Sequence, residues 1–588
     1  MKKTFLLFFI LFLAIFSGCK EDKPIGGEEN ERLFPAEKDR EFDKGSSIVF
    51  PELSEQLTDD LDLLGRIWGF LKYHHPEVGK GNYNWDYELF RILPKYIQVK
   101  NNEERDKVIL EWINKYGEIS VCSTCLETPA DAYIKPNLLW VENSNMNLVL
   151  KAKIKEIYQN RHQGEHYYIK ITAIGYPEFF HEYLYSNMLF PDAGFRLLSL
   201  YRYWNIIQYF FPYKYLTDKN WDDVLREYIP MFITAQNRLE YELVTTQMVA
   251  EINDTHASFS GRARIEETRG DNYAPFQIRF IERKLVVTLY YNPELKESSD
   301  PEIGDVITHI NGEAVESIVE NMKKYYPASN EAARLRDMSF NLLRSNQNTI
   351  AINYSSMGQS NRQKDLQLYK RNLLKIHSWN DGWYKVNKNE KCYRLIDENI
   401  GYVTLASIKD GDHSEIKSSF KDIKGIIIDI RNYPSSFGEW FKLSGYFVSG
   451  SVSFVKFTHG NADNPGEFTF VSGHKPPYTG ETYQGKLIVL INEITQSQAE
   501  FSSMAFRAGI NTTIIGSTTA GADGNVTYIN LPGGLVTGIS GIGVYYPDGR
   551  GTQRVGIIPD IWVEPTIEGI REGRDELLEM AVKLINDL

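Results

Sequence analysis

The sequence predicts a multidomain protein of the α/β and β classes, with a helical N-terminal region, a small β domain and a C-terminal α/β domain. Three observations predict this architecture. Helical patterns repeat within the first 265 residues, short strands with an Asn-Gly turn fall between residues 270 and 360, and buried strands alternate with helices beyond residue 372. A chain of 588 residues has room for roughly three or four domains.

The helical N-terminal region contains two stretches, residues 50–120 and 193–255, with a common aromatic pattern. Six positions recur at one offset: Leu64, Trp68, Tyr73, Pro76, Trp85 and Leu89 correspond to Leu200, Trp204, Tyr209, Pro212, Trp221 and Leu225. A shared register with two tryptophans indicates a duplicated helical hairpin whose aromatic stripe packs inward. Between the copies, residues 148–150 and 167–172 are predicted strands.

Composition excludes some partners. The net charge is -13 and no Lys/Arg-rich block offsets it, which argues against nucleic acid as a partner. Cys122 and Cys125 have the spacing of a structural disulfide, or they are two free thiols, and no second Cys or His pair completes a metal site. We therefore predict no metal and no cofactor.

The N-terminus has the pattern of an export signal. Residues 1–3 are basic at two positions, residues 5–16 are apolar, and small residues precede Cys19. The apolar run is too short for a permanent membrane span, so residues 1–19 are predicted to be a signal peptide, with an uncleaved anchor helix as the alternative. This resembles a bacterial lipoprotein signal, which implies a lipid on Cys19 and an outer-membrane lipoprotein of the cell envelope, periplasmic or surface-exposed. Residues 20–45 are charged and rich in Gly and Pro, which predicts a flexible tether.

A serine stands at a predicted strand–turn–helix corner. Residues 487–491 form an apolar run typical of a buried strand, and residues 498–508 have helical character. Ser497 lies where the turn meets the helix, beside free N–H groups that suit a nucleophile and an oxyanion. The alternative is a helix N-cap, with Glu500 completing a capping box.

A histidine marks the end of the second helical copy. That copy ends on Asp254, Thr255 and His256, whereas the first copy ends on residues 116–120 without an equivalent. A lone histidine is more often structural than catalytic, but a residue gained by only one copy of a repeat favours a functional role.

The central region predicts a compact β domain. Residues 276–280 and 285–289 read as paired strands, and residues 304–315 contain an Asn311-Gly312 turn typical of a hairpin. This pattern resembles the PDZ domain of bacterial proteases, which implies binding of an extended chain at a sheet edge. Another small β-barrel is the alternative.

The order of these elements resembles the C-terminal processing (tail-specific) serine proteases, and more closely their tricorn-core branch. Supporting motifs are residues 429–432, 492–500, 518–524 and 556–560. The resemblance covers roughly residues 195–570. It implies a domain order of 46–192 (N-terminal helical and mixed), 193–265 (helical part of the protease), 270–360 (PDZ-like) and 372–588 (ClpP/crotonase-like protease core).

The resemblance also implies roles for individual residues. Ser497 becomes the nucleophile and His256 the general base, with Thr255 in place of a serine. Residues 519–524 lack the lysine of the processing branch, which excludes a Ser–Lys dyad there. The family's glutamate is absent from residues 551–556, so another acid has to serve. Glu500, Asp548 and Asp254 are the candidates, and Glu500 is included in the predicted site.

Two backbone donors complete the predicted site. The N–H of Gln498 is the natural first oxyanion donor at the helix start. The resemblance implies that the second lies in the turn after Asn432, where Pro434 has no N–H, so Tyr433 or Ser435 has to supply it.

The predicted function is that of a serine endopeptidase acting on exported peptides or protein tails, anchored to a membrane by its lipid. The alternative is a catalytically weakened or inactive lipoprotein of the same fold that binds peptides or another ligand. A Ser–Lys enzyme with a lysine from elsewhere is a third hypothesis.

Overall fold

The computed structural model describes residues 33–296, 300–357, 359–376 and 390–587. The predicted signal peptide, including Cys19, lies outside these residues and stays a prediction. Within the described residues, no helix combines the length and apolar character needed to cross a bilayer.

The N-terminal part, up to residue 269, is mainly helical. Its helices are Pro35–Lys38, Glu55–His74, Pro76–Gly79, Trp85–Tyr96, Asn102–Asn114, Leu139–Asn143, Leu148–Gln159, Ala193–Phe210, Trp221–Thr234, Arg238–Ala250 and Ala263–Arg269, with a 3-10 turn at Lys214–Leu216. Its strands are Ile169–Ile171, Pro177–Phe179 and Phe259–Ser260.

The two helical stretches carry the same tryptophan pairing. Trp68 Nε1 donates to the carbonyl of Trp85 (3.0 Å), and Trp85 Nε1 donates to the carbonyl of Trp68 (2.8 Å). Trp204 and Trp221 repeat this reciprocal arrangement at 2.8 and 3.1 Å. A buried indole N–H needs an acceptor, and each pair satisfies its own two donors. All four rings lie in the core of this region.

Two details of this region differ from the sequence-based prediction. The predicted strand at residues 148–150 is wrong, because Leu148–Gln159 is a helix capped by the Asn147 side chain, which accepts from Leu150 N–H at 2.9 Å. In the predicted tether, Ala36 is buried and Arg91 pairs with Asp39 at 2.7 Å. The packed chain therefore begins before residue 45.

The β domain follows. Its strands are Asn272–Tyr273, Phe276–Ile281, Lys284–Tyr290, Val306–Ile310, Glu313–Ala314, Arg344–Ser345, Thr349–Ser356, Gln359–Gln367 and Tyr369–Lys370. Its helices are Pro293–Lys296, Val315–Met322 and Glu331–Ser339, with 3-10 turns at Lys323–Tyr325 and Arg371–Leu373. The predicted paired strands and the Asn311-Gly312 hairpin are confirmed, with φ of 50° and 83° in the turn.

The main sheet of this domain has two edge strands, Gln359–Gln367 and Phe276–Ile281. Its order runs from Gln359–Gln367 through Thr349–Ser356, Val306–Ile310 and Lys284–Tyr290 to Phe276–Ile281. The strand Gln359–Gln367 runs past the predicted domain boundary at residue 360. Its residues are mostly polar, so no apolar alternation in the sequence revealed it.

The C-terminal part is an α/β domain. Its strands are Tyr393–Asp397, Ile400–Thr404, Gly425–Asp429, Lys456–Gly460, Phe468–Ser472, Lys486–Ile491, Thr512–Gly516, Val526–Leu531, Leu535–Ser540, Gly543–Tyr545 and Ile561–Trp562. Its helices are Asp412–Ser419, Phe437–Ser444, Gln498–Arg507, Ile567–Glu572 and Glu576–Asn586, with a 3-10 turn at Leu405–Ser407.

The central sheet of this domain aligns the predicted site elements. Four strands lie in chain order and run parallel, namely Ile400–Thr404, Gly425–Asp429, Lys486–Ile491 and Thr512–Gly516, with an antiparallel strand at one edge and Ile561–Trp562 at the other. Gly425–Asp429 and Lys486–Ile491 are neighbours, so the residues that follow them meet at the same edge of the sheet. Ligands and reactive groups collect at that edge in such folds.

A second, three-stranded sheet joins the N-terminal part to the C-terminal domain. Phe259–Ser260 pairs with Leu535–Ser540, which in turn pairs with Val526–Leu531. The segment that carries His256 is thereby held against the C-terminal domain.

Candidate active site

Ser497 lies on a tightly held turn after the strand Lys486–Ile491. Asn492 N–H donates to Thr495 Oγ1 (3.1 Å), and Thr495 Oγ1 donates to the carbonyl of Ile430 (2.8 Å), at the end of the neighbouring strand. Ser497 itself is partly exposed. The turn therefore presents the serine at the carboxyl edge of the sheet.

The backbone of Ser497 is strained. Its φ of 57° and ψ of -122° lie outside the regions that a residue with a Cβ normally adopts. Such a conformation costs about 1–3 kcal/mol and persists only where the surroundings enforce it. Here Ser497 N–H is held by the carbonyl of Ala522 at 2.9 Å and by Glu500 Oε2 at 3.1 Å. A simple helix cap does not require this strain.

Glu500 fixes the loop opposite the serine. Its fully buried carboxylate accepts hydrogen bonds from Thr519 Oγ1, from Gly521 N–H (2.8 Å) and from Ala522 N–H (3.0 Å), besides the one from Ser497. Burial raises the pKa of Glu500 to about 7, and these bonds partly offset that rise. The Glu500 half of the predicted capping box is therefore present, and it ties the serine turn to residues 519–522.

His256 is buried, and its ring is held on one side. Its Nδ1 lies 2.8 Å from Ser540 Oγ, while Nε2 has no hydrogen-bond partner among the residues that the structure describes. Burial lowers the pKa of His256. The Asp254 carboxylate opposes this effect, and nearby Arg336 adds to it. The ring is therefore neutral near pH 7, with one nitrogen unused.

Asp254 is the carboxylate linked to that ring. It is fully buried, and its Oδ1 accepts from Ser540 Oγ (3.0 Å) and from Gln553 Nε2 (3.2 Å). Asp548, by contrast, is exposed and bonded to Arg550. Sequence reasoning named Asp254 among three acids but did not find Ser540, because nothing in the pattern of residues 535–540 marks it.

Thr255 anchors the histidine segment. The neighbour of His256 Nδ1 is the Ser540 hydroxyl and not that of Thr255. The Thr255 hydroxyl donates to the carbonyl of Ala520 (3.1 Å) and accepts from Ser329 N–H (2.8 Å). Since Ala522 binds the N–H of Ser497, residues 519–522 are held from one side by the serine turn and from the other by Thr255. One loop thus brings the two predicted catalytic segments together.

The two predicted oxyanion donors are open. Within the described part of the chain, neither Gln498 N–H nor Tyr433 N–H makes a hydrogen bond. Ser435, the alternative donor, is already bonded to the carbonyl of Leu405 at 2.9 Å. The Gln498 side chain approaches the carbonyl of Pro434 (3.5 Å), which shows that the helix start and the Tyr433 turn are neighbours.

The Tyr433 side chain lies near that of Ser497. Burial raises the pKa of Tyr433, and its interaction with Ser497 opposes that rise. The turn that carries Tyr433 is fixed by Arg431, whose guanidinium bonds both oxygens of Asp429 at 3.0 and 2.7 Å.

The sequence model of peptidase family S41 matches residues 399–563. The chain contains a peptidase family S41 domain. The family that the motifs predicted is thereby confirmed, and the tricorn-core branch stays a prediction. Ser497, Ser540 and Gln553 lie inside the matched stretch, whereas Asp254 and His256 lie before it.

A curated relative supports the same assignment. The carboxy-terminal-processing protease of Bartonella bacilliformis is 26% identical over 200 residues, which cover 31% of this chain and 43% of the relative. The match thus spans less than half of that relative's length.

Two solved structures share the fold. A crystal structure of a CPAF mutant aligns with a TM-score of 0.54 and 14% identity, over 67% of this chain and 98% of that chain. Mature CPAF complexed with lactacystin aligns with a TM-score of 0.52 and 13% identity, over 67% of this chain and 99% of that chain. At these identities the likeness concerns the fold alone.

A groove lies in the β domain, and residues of the S41 domain line part of it. It is a cavity of about 390 Å³ between the edge strand Phe276–Ile281 and the helix Glu331–Ser339, and Trp562 of the S41 domain lines it as well. Among the described residues, no group of three or more His, Cys, Asp or Glu side chains is placed to hold a metal ion.

Both walls of the groove contact the serine turn. Arg279, on the edge strand, pairs with Glu493 at 2.7 Å. Arg336, on the helix, donates to the carbonyl of Glu493 (2.7 Å) and to Gln496 Oε1 (3.0 Å). The residue after Gln496 is Ser497, so the β domain supports the serine turn directly.

Proposed function

We propose that this chain is a serine endopeptidase that cleaves exported peptides or protein tails, with Ser497 as nucleophile and His256 as general base. The observation that carries the proposal is the strained Ser497 in the S41 domain, held through residues 519–522 to the segment of His256. A serine at a sharp strand-to-helix bend, with open N–H groups beside it, is arranged for acyl transfer.

The proposed reaction has two steps. Ser497 Oγ attacks the substrate carbonyl carbon while its proton passes to His256 Nε2, and the tetrahedral oxyanion is held by the N–H groups of Gln498 and Tyr433. The C–N bond then breaks, and the amine leaves with the proton from His256. Water, deprotonated by His256, attacks the acyl ester. The bond between the acyl carbon and Ser497 Oγ then breaks, His256 returns the proton to Ser497 Oγ, and the product leaves with a new carboxyl group.

We propose that the β domain, with its PDZ-like strand order, captures the substrate in the groove. An edge strand offers unpaired backbone groups to an extended chain, and the apolar residues of the groove suit its side chains. An extended peptide in the groove would lie against the same arginines that hold the serine turn.

An assay on an unfolded protein tests the proposed activity. We expect a reduced and alkylated protein to be cut by the purified chain, and the cutting to stop after treatment with a fluorophosphonate. Binding of the unfolded protein without cleavage would contradict the proposal and favour the alternative, a binding protein built on the peptidase fold.

The pH profile of this activity is predicted to be set by His256. Because burial holds its pKa below 6.5, the base stays neutral in mild acid, and the acid limb of kcat/KM should have its midpoint below pH 6.5. Circular dichroism at each pH controls for unfolding. A midpoint near pH 7 would instead point to the titration of Glu500.

Arg336→Ala is predicted to lower kcat by about 10- to 100-fold, because it removes two charge-assisted hydrogen bonds from the serine turn. KM for a short peptide should change little. Arg334→Ala is the matched control, since Arg334 lies on the same helix but pairs with Glu331. An unchanged kcat in the folded Arg336→Ala protein would show that the turn does not depend on the β domain.

A further inference from the structure

We propose that Asp254 and Ser540 act together as positioning residues for His256, with the Ser540 hydroxyl bridging the carboxylate and the imidazole ring. The inference rests on the proposed function and names the acid that sequence motifs left open. It assigns this role to a serine 284 residues away from the histidine in the chain.

Several hydrogen-bond donors surround the carboxylate of Asp254. Its carboxylate accepts from the N–H of His256 (3.0 Å), from the N–H and hydroxyl of Ser540 (2.7 and 3.0 Å) and from Gln553 Nε2 (3.2 Å). Four donors and full burial match a carboxylate that acts only as an acceptor. The neutral amide of Gln553 supports it without adding a charge.

The hydrogen bonds of Ser540 determine the tautomer of His256. The Ser540 hydroxyl has one proton, and the acceptor-only carboxylate of Asp254 takes it. Ser540 Oγ therefore accepts from the ring, which places the imidazole proton on Nδ1. Nε2 is then the unprotonated nitrogen, and it is also the one without a partner among the described residues. A general base for Ser497 needs this tautomer.

The strand that carries Ser540 packs closely against the segment that carries His256. Gly538 donates its N–H to the carbonyl of Ser258 at 3.2 Å, and a Cβ at position 538 would come within 2.8 Å of the His256 carbonyl. The absence of a side chain at Gly538 permits this close approach. The strand and the histidine segment are thus packed in a fixed register, which sets the distance between Ser540 and the ring.

The other two candidate acids contact different groups. The Glu500 carboxylate is engaged by Ser497 N–H and by residues 519–522, and that of Asp548 by Arg550. Asp254 is the carboxylate that faces the His256 ring, and its charge raises the pKa of that ring. Arg336, on the β domain, is the cation whose charge lowers the same pKa. The Glu500 of the predicted site holds the serine turn instead.

The bridge would act when His256 takes the proton of Ser497. The ring becomes positively charged, its Nδ1–H bond to Ser540 strengthens, and the Ser540 hydroxyl passes the polarisation to the negative charge of Asp254. No proton has to move to the acid. The pair holds the ring in place and stabilises its charged state, as the acid of a catalytic triad does.

Kinetics of three variants test the bridge. We expect Ser540→Ala to lower kcat by about 10- to 100-fold with KM unchanged, and Ser540→Thr, which keeps the hydroxyl, to recover most of that loss. Asp254→Asn should lower kcat by about 10²- to 10⁴-fold, because the amide favours the wrong tautomer. It should also shift the acid limb to lower pH, since removal of the negative charge disfavours the protonated ring.

Ser260→Ala is the matched control, since Ser260 is exposed on the adjoining strand of the same sheet. Wild-type kcat in folded Ser540→Ala or Asp254→Asn protein would overturn the bridge. If Asp254→Asn does not fold, the comparison of Ser540→Ala with Ser540→Thr decides. Failure of the bridge leaves wild-type activity intact, whereas failure of the proposed function leaves the wild type without activity, so the two are distinguishable.

Discussion

Replacing Ser497 with alanine is expected to lower peptide hydrolysis by about 10⁴- to 10⁶-fold, the range found when a nucleophile is removed from a serine hydrolase. The side chain is partly exposed, and its backbone is held by Ala522 and Glu500 through the N–H group, which alanine keeps. The variant should therefore fold like the wild type. Its loss of activity would come from the missing hydroxyl alone.

The control for this variant is Ser418→Ala, because Ser418 is exposed on the helix Asp412–Ser419, away from the serine turn. Activity and thermal unfolding are measured on all three proteins in parallel. A Ser497→Ala protein that still cleaves at more than a few per cent of the wild-type rate would contradict the role of Ser497.

Glu500→Ala is expected to destabilise the S41 domain by about 3–5 kcal/mol. The change leaves three buried donors, on Thr519, Gly521 and Ala522, without their shared acceptor, and it removes one of the two acceptors of Ser497 N–H. For a domain of this size, such a loss lowers the melting temperature by roughly 10 °C. Activity should fall as well, because residues 519–522 lose their anchor.

The destabilisation caused by Glu500→Ala should become smaller as the pH rises. The pKa of Glu500 is about 7 in the folded protein, above the ordinary 4.5, so the folded state binds a proton more readily than the unfolded chain does. The stability that this group contributes is complete below pH 4.5 and is lost as the pH rises through 7. The stability difference between wild type and Glu500→Ala should thus be larger at pH 5.5 than at pH 8.5. The opposite order, measured by denaturant unfolding, would contradict the assignment.

The sheet of the S41 domain was predictable because its strands are apolar on both faces. Residues 425–430 and 487–491 have the apolar pattern of buried strands, and the strands Gly425–Asp429 and Lys486–Ile491 are central in the observed sheet. Local signals also revealed the Asn311-Gly312 hairpin, since that dipeptide is typical of such a turn.

The sequence-based prediction of secondary structure was wrong at one segment and missed one strand. The apolar residues 148–150 resemble a strand, but Asn147 caps a helix there, and Leu150, Ile154 and Ile157 are buried at helical spacing. The polar strand Gln359–Gln367 carries no apolar alternation, and its pairing with Thr349–Ser356 forms it. Pairing with a neighbouring strand forms this strand, and a short stretch of sequence does not reveal such pairing.

The candidate site shows the same limit. Ser497 and His256 were predicted from motifs, and Gln498 and Tyr433 from the turn chemistry around them. Ser540 was not found, because its contact with His256 arises from pairing between Phe259–Ser260 and Leu535–Ser540. The strain at Ser497 is likewise a property of the folded turn.

The alternative of a binding protein on a peptidase fold deserves a physical comparison. The departures from the family motifs that favoured it are a missing acid and a glycine-free oxyanion turn. In the structure, Asp254 is linked to the His256 ring through Ser540, which supplies an acid. The N–H of Tyr433 makes no hydrogen bond to the described residues, so it is available as a donor. A ligand-binding role gives no reason for the strained backbone of Ser497, which costs about 1–3 kcal/mol.

The most direct test is mass spectrometry of the protein after reaction with a fluorophosphonate. We expect a single adduct on the wild type, mapped by peptide analysis to Ser497, and its absence from Ser497→Ala. Labelling should be slow in His256→Ala, because the general base is gone. An unlabelled wild-type protein that is folded, or an adduct on another serine, would contradict the assignment of Ser497 as the nucleophile.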